Sequence, residues 1–478
     1  MQQTIPLWHR FPTVCCNCKT IRMKKILVFL AAILVTTATG FAQQDKITDQ
    51  DIATAVWVMK QAHPEGFTLD LNTMSFPTEG LMVSYKETQD SFDRKSLPDV
   101  IKHARAHDNI IGGWYNPDSG LYYFDSTRSF PEDSLAAALA FARENGQHTV
   151  YVTSKDINVK SNYEQEDIRV ILDTDMGSST DDLFALMMLY RYMDMKRCTL
   201  LGVVVDRMDR ANADAVDVMN NYFGYPDIPI GLEQAGVKDP HVYIPYHNMA
   251  YARDIDGVPL FERSIGDNGT YLDGYKLYRK LLAAQPDKSV TIASIGFVTC
   301  LARLLQSGPD EYSPLTGLEL VQRKVKNIYC MGGVFGDSFE HDYNFTAAID
   351  FSLKFFELWP KDIDIVFSPG EVGDPLYYSA AQVIADMNWT DAHPIKWIYE
   401  YLTEDKFQKM WDPLAVLNAV EGDEAIYKLS PRGWVTLTPT GETLFKEDPK
   451  GNARYQLPGP EGWSDTVLKY IRLMSIQH

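Results

Sequence analysis

From Ile168 onward the chain alternates short apolar runs with segments of helical period. IRVILD leads to LFALMMLYRYM, TLLGVVV to a helix around residues 213–223, SVTIASIG to VTCLARLL, VKNIYCMGG to IDFSLKFFELW, and IDIVFSPG to another helix. Runs of four to seven β-branched or apolar residues, each followed by a helix, specify a mainly parallel sheet covered on both faces: a doubly wound α/β domain. In such a sheet ligands sit beyond the carboxyl ends of the strands. The chemistry is therefore expected just after each strand.

Residues 43–155 follow a different pattern. Helical periodicity runs through 51–61, 97–106 and 132–145, while residues 80–86, IIGGWYN, LYYFDS and TVYVTS read as strands. Asn116-Pro117-Asp118-Ser119-Gly120 is a turn signal between two aromatic strands and predicts a hairpin. We expect a small α+β domain without a catalytic motif, whose aromatic strands suit a glycan or a protein partner. The polar stretch that follows places a linker at 156–167, and residues 168–478 form the larger domain.

At the N-terminus, MKKILVFLAAILVTTATGFA (residues 23–42) has two lysines, an apolar stretch and small residues suited to signal peptidase. Residues 1–42 then comprise a leader and a signal, with export to the periplasm or the exterior. The apolar run is too short for a membrane span, so no stable membrane insertion is expected. The whole chain holds 45 basic and 64 acidic residues, a net charge of -19. Residues 1–42 contain five basic and no acidic side chains, so without them the balance is 40 minus 64, or -24. That excess excludes nucleic acid as a partner, which needs a basic footprint. Of six cysteines, Cys15, Cys16 and Cys18 fall in the leader; Cys198, Cys300 and Cys330 lie in apolar runs and read as buried thiols.

The densest chemical signal is ILDTDMGSSTDDLFAL, residues 171–186. Asp173 and Asp175 leave a strand, Gly177 permits a tight turn, and Ser179 or Thr180 can cap a helix that begins with Asp181 and Asp182. Complementing the helix dipole accounts for the last pair but leaves Asp175 unexplained. Crowded carboxylates repel unless a cation or substrate hydroxyls compensate, and hard oxygen ligands point to Ca²⁺ or Mg²⁺ rather than zinc. A strand-end Asp-x-Asp also occurs in haloacid-dehalogenase-like phosphatases, but that reading leaves Asp181 and Asp182 unused. The turn MGGVFG lacks the Lys-Ser/Thr of a phosphate-binding loop.

These residues resemble the nucleoside hydrolase family, whose signature is an Asp-x-Asp, a Gly and an Asp-Asp pair at the end of the first strand. Here three residues separate Gly177 from the pair, where better-known members have one. The resemblance spans residues 168–473 and recurs at SIGFVTCLARLL, MGGVFGDSFEHDYNF and MWDPLAVL. It implies that Asp175, Asp182, Asp412 and the carbonyl of Thr299 hold Ca²⁺, with Asp173 as a neighbouring support. Asp181, Asp342 and Asn344 would bind the ribose, and a water on the cation would lose a proton to Asp175 and attack the anomeric carbon. The implied substrate is a small-molecule nucleoside, the implied reaction hydrolysis of its N-glycosidic bond, and the implied assembly a homo-oligomer.

Two departures bear on substrate range. Trp411 stands where better-known members have a His that protonates the leaving base; stacking against a base and plain packing both stay open for it. After the second strand, Asp209 aligns with an Asn that contacts the sugar. A nucleoside or ribose binding protein that kept the metal site with little turnover is the alternative that Trp411 raises. His341 reads as a solvated loop residue and His393 as structural.

Overall fold

A computed structural model describes residues 48–116, 119–161, 167–177, 179–236, 244–336, 341–401, 407–422 and 427–475. The signal, the three leader cysteines and the export reading lie outside the described residues, as do Pro117 and Asp118 of the hairpin turn. No described helix is long and apolar enough to cross a membrane.

The first helix, Asp49–Ala62, starts at a capping box in which Thr48 and Asp51 each satisfy the other's backbone. It and Leu97–Ala106 bury Ile52, Val56, Val100 and Ile101 against Leu69, Ile111 and Phe124 of a six-stranded sheet. That sheet is antiparallel throughout, in the order Gly66–Asp70, Ile110–Asn116, Leu121–Phe130, Leu81–Ser84, Thr149–Val152, Ile157–Lys160. The expected hairpin is its second and third strands, with Trp114 opposite Tyr123 and their rings stacked 5.3 Å apart. One boundary changes. Ile157–Lys160, read above as the start of a linker, is the edge strand of this sheet, because Ile157 and Val159 alternate inward and are buried.

The second sheet has eleven strands. Eight run parallel in the order Leu272–Asp273, Ile230–Leu232, Cys198–Val205, Ile168–Thr174, Val290–Ser294, Val325–Met331, Asp364–Ser368, Ala453–Leu457. Gly433–Leu437, Thr443–Glu447 and the short Lys428–Leu429 add an antiparallel edge. The chain builds outward from Ile168–Thr174 in one direction and, starting at Val290–Ser294, in the other. The switch point lies between these two strands, which places a crevice at their carboxyl ends.

One face of the large sheet packs on Asp181–Asp194 and Asp412–Glu421, in an apolar cluster that also contains Leu81, Val83, Leu139 and Val150 of the small sheet. The opposite face packs on Gly274–Ala283 and Thr299–Gln306. Across the junction Lys160 Nζ donates to the Glu421 carbonyl at 2.5 Å, and Arg143 Nη1 to the Met195 carbonyl at 3.1 Å. Cys198, Cys300 and Cys330 are buried free thiols, as expected.

Candidate active site

At the switch point the strand Ile168–Thr174 ends in acids. Asp173, fully buried, accepts from the Tyr278 hydroxyl at 2.8 Å and from Ser294 Oγ at 3.2 Å. Burial, then the neighbouring Asp206, hold its proton affinity well above the usual carboxylate range. Gly177 turns the chain away with φ +138°, and a Cβ there would meet the Asn212 side chain at 2.6 Å.

Two helix N-termini then converge. Asp181 and Asp182 open Asp181–Asp194, and Asp412 opens Asp412–Glu421. Asp181 Oδ2 accepts from the backbone N–H groups of Trp411 and Asp412 at 3.2 and 3.3 Å, so one helix's carboxylate caps the other. Thr174 Oγ1 donates to Asp182 Oδ1, while Asp182 Oδ2 is buried and has no hydrogen-bond partner among the described residues. Asp181, Asp182 and Asp412 each offer an oxygen within 4.8 Å of the others. Burial raises all three, Asp181 to about 6 and the other two further; repulsion from Asp175 adds to the rise in each, and Asp181 adds to it in Asp182 and Asp412.

Asp181 lies with Asp182 and Asp412. Asp175 pairs with Arg207, whose Nη2 lies 2.8 Å from Asp175 Oδ2 and whose Nε donates to the Asp175 carbonyl, while the charge of Asp175 acts on all three of the other acids. Arg207 is buried, and a buried guanidinium needs an anionic partner. Its Cζ also lies 4.6 Å over the Phe297 ring. Thr299 begins its helix after Val298, whose backbone is left-handed (φ 57°, ψ 16°). For a β-branched residue that costs about 1–3 kcal/mol and is found where a site imposes it. The Thr299 hydroxyl donates to Asp206 Oδ1 at 2.9 Å.

Asp209 is not brought to the acids. Its carboxylate caps the helix Arg210–Tyr222, accepting from Ala211 N at 3.0 Å, a local demand that the helix start makes on it. The strand-end carboxylate at this point is Asp206, which the sequence reading missed together with Arg207. VVVDR ends a strand as ILD does, and that parallel was the available signal.

Asp342 is buried, accepts from Phe345 N at 3.3 Å, and is pushed up to about 7 by burial. Asn344 Nδ2 donates to the Ile295 carbonyl at 3.1 Å and lies 3.2 Å from Met331 Sδ, tying the ends of Val290–Ser294 and Val325–Met331. Trp411 packs its ring on Gly373, where a Cβ would meet Cδ1 at 2.3 Å, and its Nε1 donates to Asp374 at 3.3 Å. These contacts favour the packing role over base stacking. His341 is exposed; His393 is buried among aromatic rings, which lowers it to about 3.

A family model described as inosine-uridine preferring nucleoside hydrolase matches residues 170–442, more than half of the chain. Among solved structures, a plant nucleoside hydrolase is similar at 15% identity and TM-score 0.48, over 65% of this chain and 99% of that one. An inosine-uridine preferring nucleoside hydrolase from Bacillus anthracis is similar at 17% identity and TM-score 0.47, over 64% and 99%. A purine-preferring ribonucleoside hydrolase from Gardnerella vaginalis is similar at 16% identity and TM-score 0.46, over 64% and 99%. No curated protein matches.

Proposed function

Because the chain belongs to the inosine-uridine preferring nucleoside hydrolase family of N-glycosyl hydrolases, we propose that it cleaves ribonucleosides to ribose and free base at the acids of the switch point, with Ca²⁺ as cofactor. The observation that carries the cofactor is the trio Asp181, Asp182 and Asp412, buried together with Asp182 Oδ2 unpartnered among the described residues. Carboxylates made reluctant to ionise by burial first, and then by the neighbouring acids with Asp175 among them, are a fit for a hard divalent cation, which two helix N-termini alone do not neutralise. Asp175, Asp182, Asp412 and the carbonyl of Thr299 would hold it, with Asp181 beside them. A bound Ca²⁺ offsets their charge and acidifies a coordinated water.

The chain's own residues supply the rest of the reading. Asp342 and Asn344 receive and orient the ribose at the strand ends, fixing the anomeric carbon in place. Asp175 accepts the proton of the attacking water, and the surrounding carboxylates stabilise the positive charge that develops on the sugar ring. Trp411 gives its indole N–H to Asp374, so the base departs without an indole proton. Export through residues 23–42 is part of the same reading, and a fusion of that segment to a reporter that stays inside the cell would remove it.

The test is ribose release from purine, pyrimidine and nicotinamide ribosides with and without a chelator. We expect release to stop on chelation, return with Ca²⁺, and be absent in Asp182→Ala and Asp412→Ala. Release that survives in Asp182→Ala overturns the assignment, and saturable binding without ribose would turn the protein into a binder.

A further inference from the structure

We propose that the open face of the small sheet, at Trp114, Tyr123 and Asp125, is a binding site for a neutral glycan, one sugar ring lying on the Trp114 indole. The strand registers gather its parts on one side of the sheet. Gly66, Trp114 and Tyr123 form one row across three strands, Thr68, Gly112 and Asp125 the next, and Ile110, Thr127 and Ser84 the third. Trp114 is 45% exposed and Phe92 46%; the Trp114 and Tyr123 rings stack at 22°, and Phe92 meets Tyr123 edge-on at 6.1 Å. A buried acid fixes this platform. Asp125 is 6% exposed and accepts from the Trp114 indole and the Ser84 hydroxyl. With its N–H turned to the acid, the indole presents carbon to the solvent. Burial raises Asp125 to about 7, so the sheet holds a carboxyl in an unfavourable place to orient a tryptophan that it leaves open.

Size, polarity and charge choose the occupant. Two half-exposed rings of about 150–250 Å² each offer about 200 Å² of apolar surface, against about 800 Å² on each side of a stable protein interface. The apolar row is one residue deep, and its neighbours are Thr68, Gly112 and Asp125. Within 4 Å of where a Gly112 Cβ would stand lies only Thr127 Oγ1, at 3.2 Å; that hydroxyl is buried and has no hydrogen-bond partner among the described residues. A narrow carbon plane bordered by hydroxyl and carboxyl groups matches a sugar ring, which has apolar C–H faces and a rim of hydroxyls. Asp90 acts electrostatically on Asp125, and the chain's net charge of -19 adds to that field, so an anionic glycan is disfavoured.

Affinity electrophoresis of the full chain tests this in gels that contain a neutral β-glucan, a xylan, a mannan or anionic polygalacturonate. We expect retardation by at least one neutral polysaccharide, and Trp114→Ala to weaken that binding by at least about tenfold, the loss of a central aromatic anchor. Retardation by none of the neutral gels, or by polygalacturonate alone, overturns the inference, and the first result would hand the face to a protein partner. Unchanged binding in Trp114→Ala overturns it as well. Should that variant not fold, Phe92→Ala decides, because Phe92 stands half exposed at the platform's rim: a loss of about threefold or more supports the site, and unchanged binding overturns it. Ribose release should be the same in Trp114→Ala as in the unsubstituted chain. The inference stands apart from the cleavage reading, so a chain that binds glycan and releases no ribose would count against that reading alone.

Discussion

Removing the cation should make the fold sensitive to pH in a direction set by the buried acids. Burial holds Asp181 at about 6 in the folded chain, against a reference of 3.8. A carboxylate raised in the folded state binds its proton more tightly there than in the unfolded chain. Its contribution to stability is therefore fully present below the unfolded value and is lost as pH rises through the folded one. For Asp181 alone that loss amounts to about 3 kcal/mol by about pH 8, at about 1.4 kcal/mol for each unit between 3.8 and 6. Asp342, raised to about 7, adds a larger loss of about 4 kcal/mol by the same arithmetic, and Asp182 and Asp412 move in the same direction. A bound divalent cation supplies the missing counter-charge, so its stabilising effect should grow as the acids ionise. Thermal unfolding in chelator and in saturating Ca²⁺, at about pH 5.5 and about pH 8, reads this directly. We expect the Ca²⁺-induced rise in Tm to be several degrees larger at the higher pH, and to disappear in Asp182→Asn. A rise of equal size at both pH values, or a larger one in acid, would refute the argument.

Other consequences follow from single contacts. Asp209→Ala should lower stability by about 1 kcal/mol through the lost helix cap while leaving KM for nucleosides unchanged; a raised KM would restore the sugar-contact role. Glu421→Leu strands Arg197, which pairs with Glu421 at 2.6 and 2.7 Å in the buried interior, and should cost about 3–5 kcal/mol in urea unfolding. Most of that should return in the double variant with Arg197→Met. With Trp411 donating to Asp374, ribosides whose leaving group departs without a proton, such as nicotinamide riboside or p-nitrophenyl riboside, should show higher kcat/KM than inosine. Equal values would mean that another residue protonates the base.

Much of this arrangement was legible in the chain because it depends on local pattern. Apolar runs such as IRVILD and TLLGVVV, each followed by a helical segment, read as strands of a sheet covered on both faces, and acids placed directly after them then fall at the sheet's carboxyl edge. What escaped depends on neighbours far apart in sequence. Asp175 and Asp181 are equally acidic in the motif; what separates them is Arg207 on the adjacent strand and the N-terminus of Asp412–Glu421, 230 residues further on. Asp209 matches the sugar contact by residue type alone, whereas the strand ends four residues earlier, at Val205, and the Asp209 carboxylate caps the next helix. Ile157–Lys160 escaped for a different reason: its inward residues are only two, and its flanks are polar.

The helix Asp412–Glu421 ties these observations together. At its positive end, backbone N–H groups meet Asp181, and Asp412 joins the three-acid group. At its other end the chain stops at Gly422, φ 88°, and the Glu421 carbonyl receives Lys160 of the small sheet. Acids gather where the helix dipole is positive and a cation where it is negative, so both ends are matched in sign. The helix is ten residues long, about 15 Å. Along that length it packs into the apolar cluster that also holds Leu81, Leu139 and Val150. The small sheet therefore does more than sit beside the acids: it buries the same cluster and satisfies the far end of the helix that presents Asp412. Its aromatic face, with Trp114 stacked on Tyr123, is turned away from that cluster and stays open to solvent.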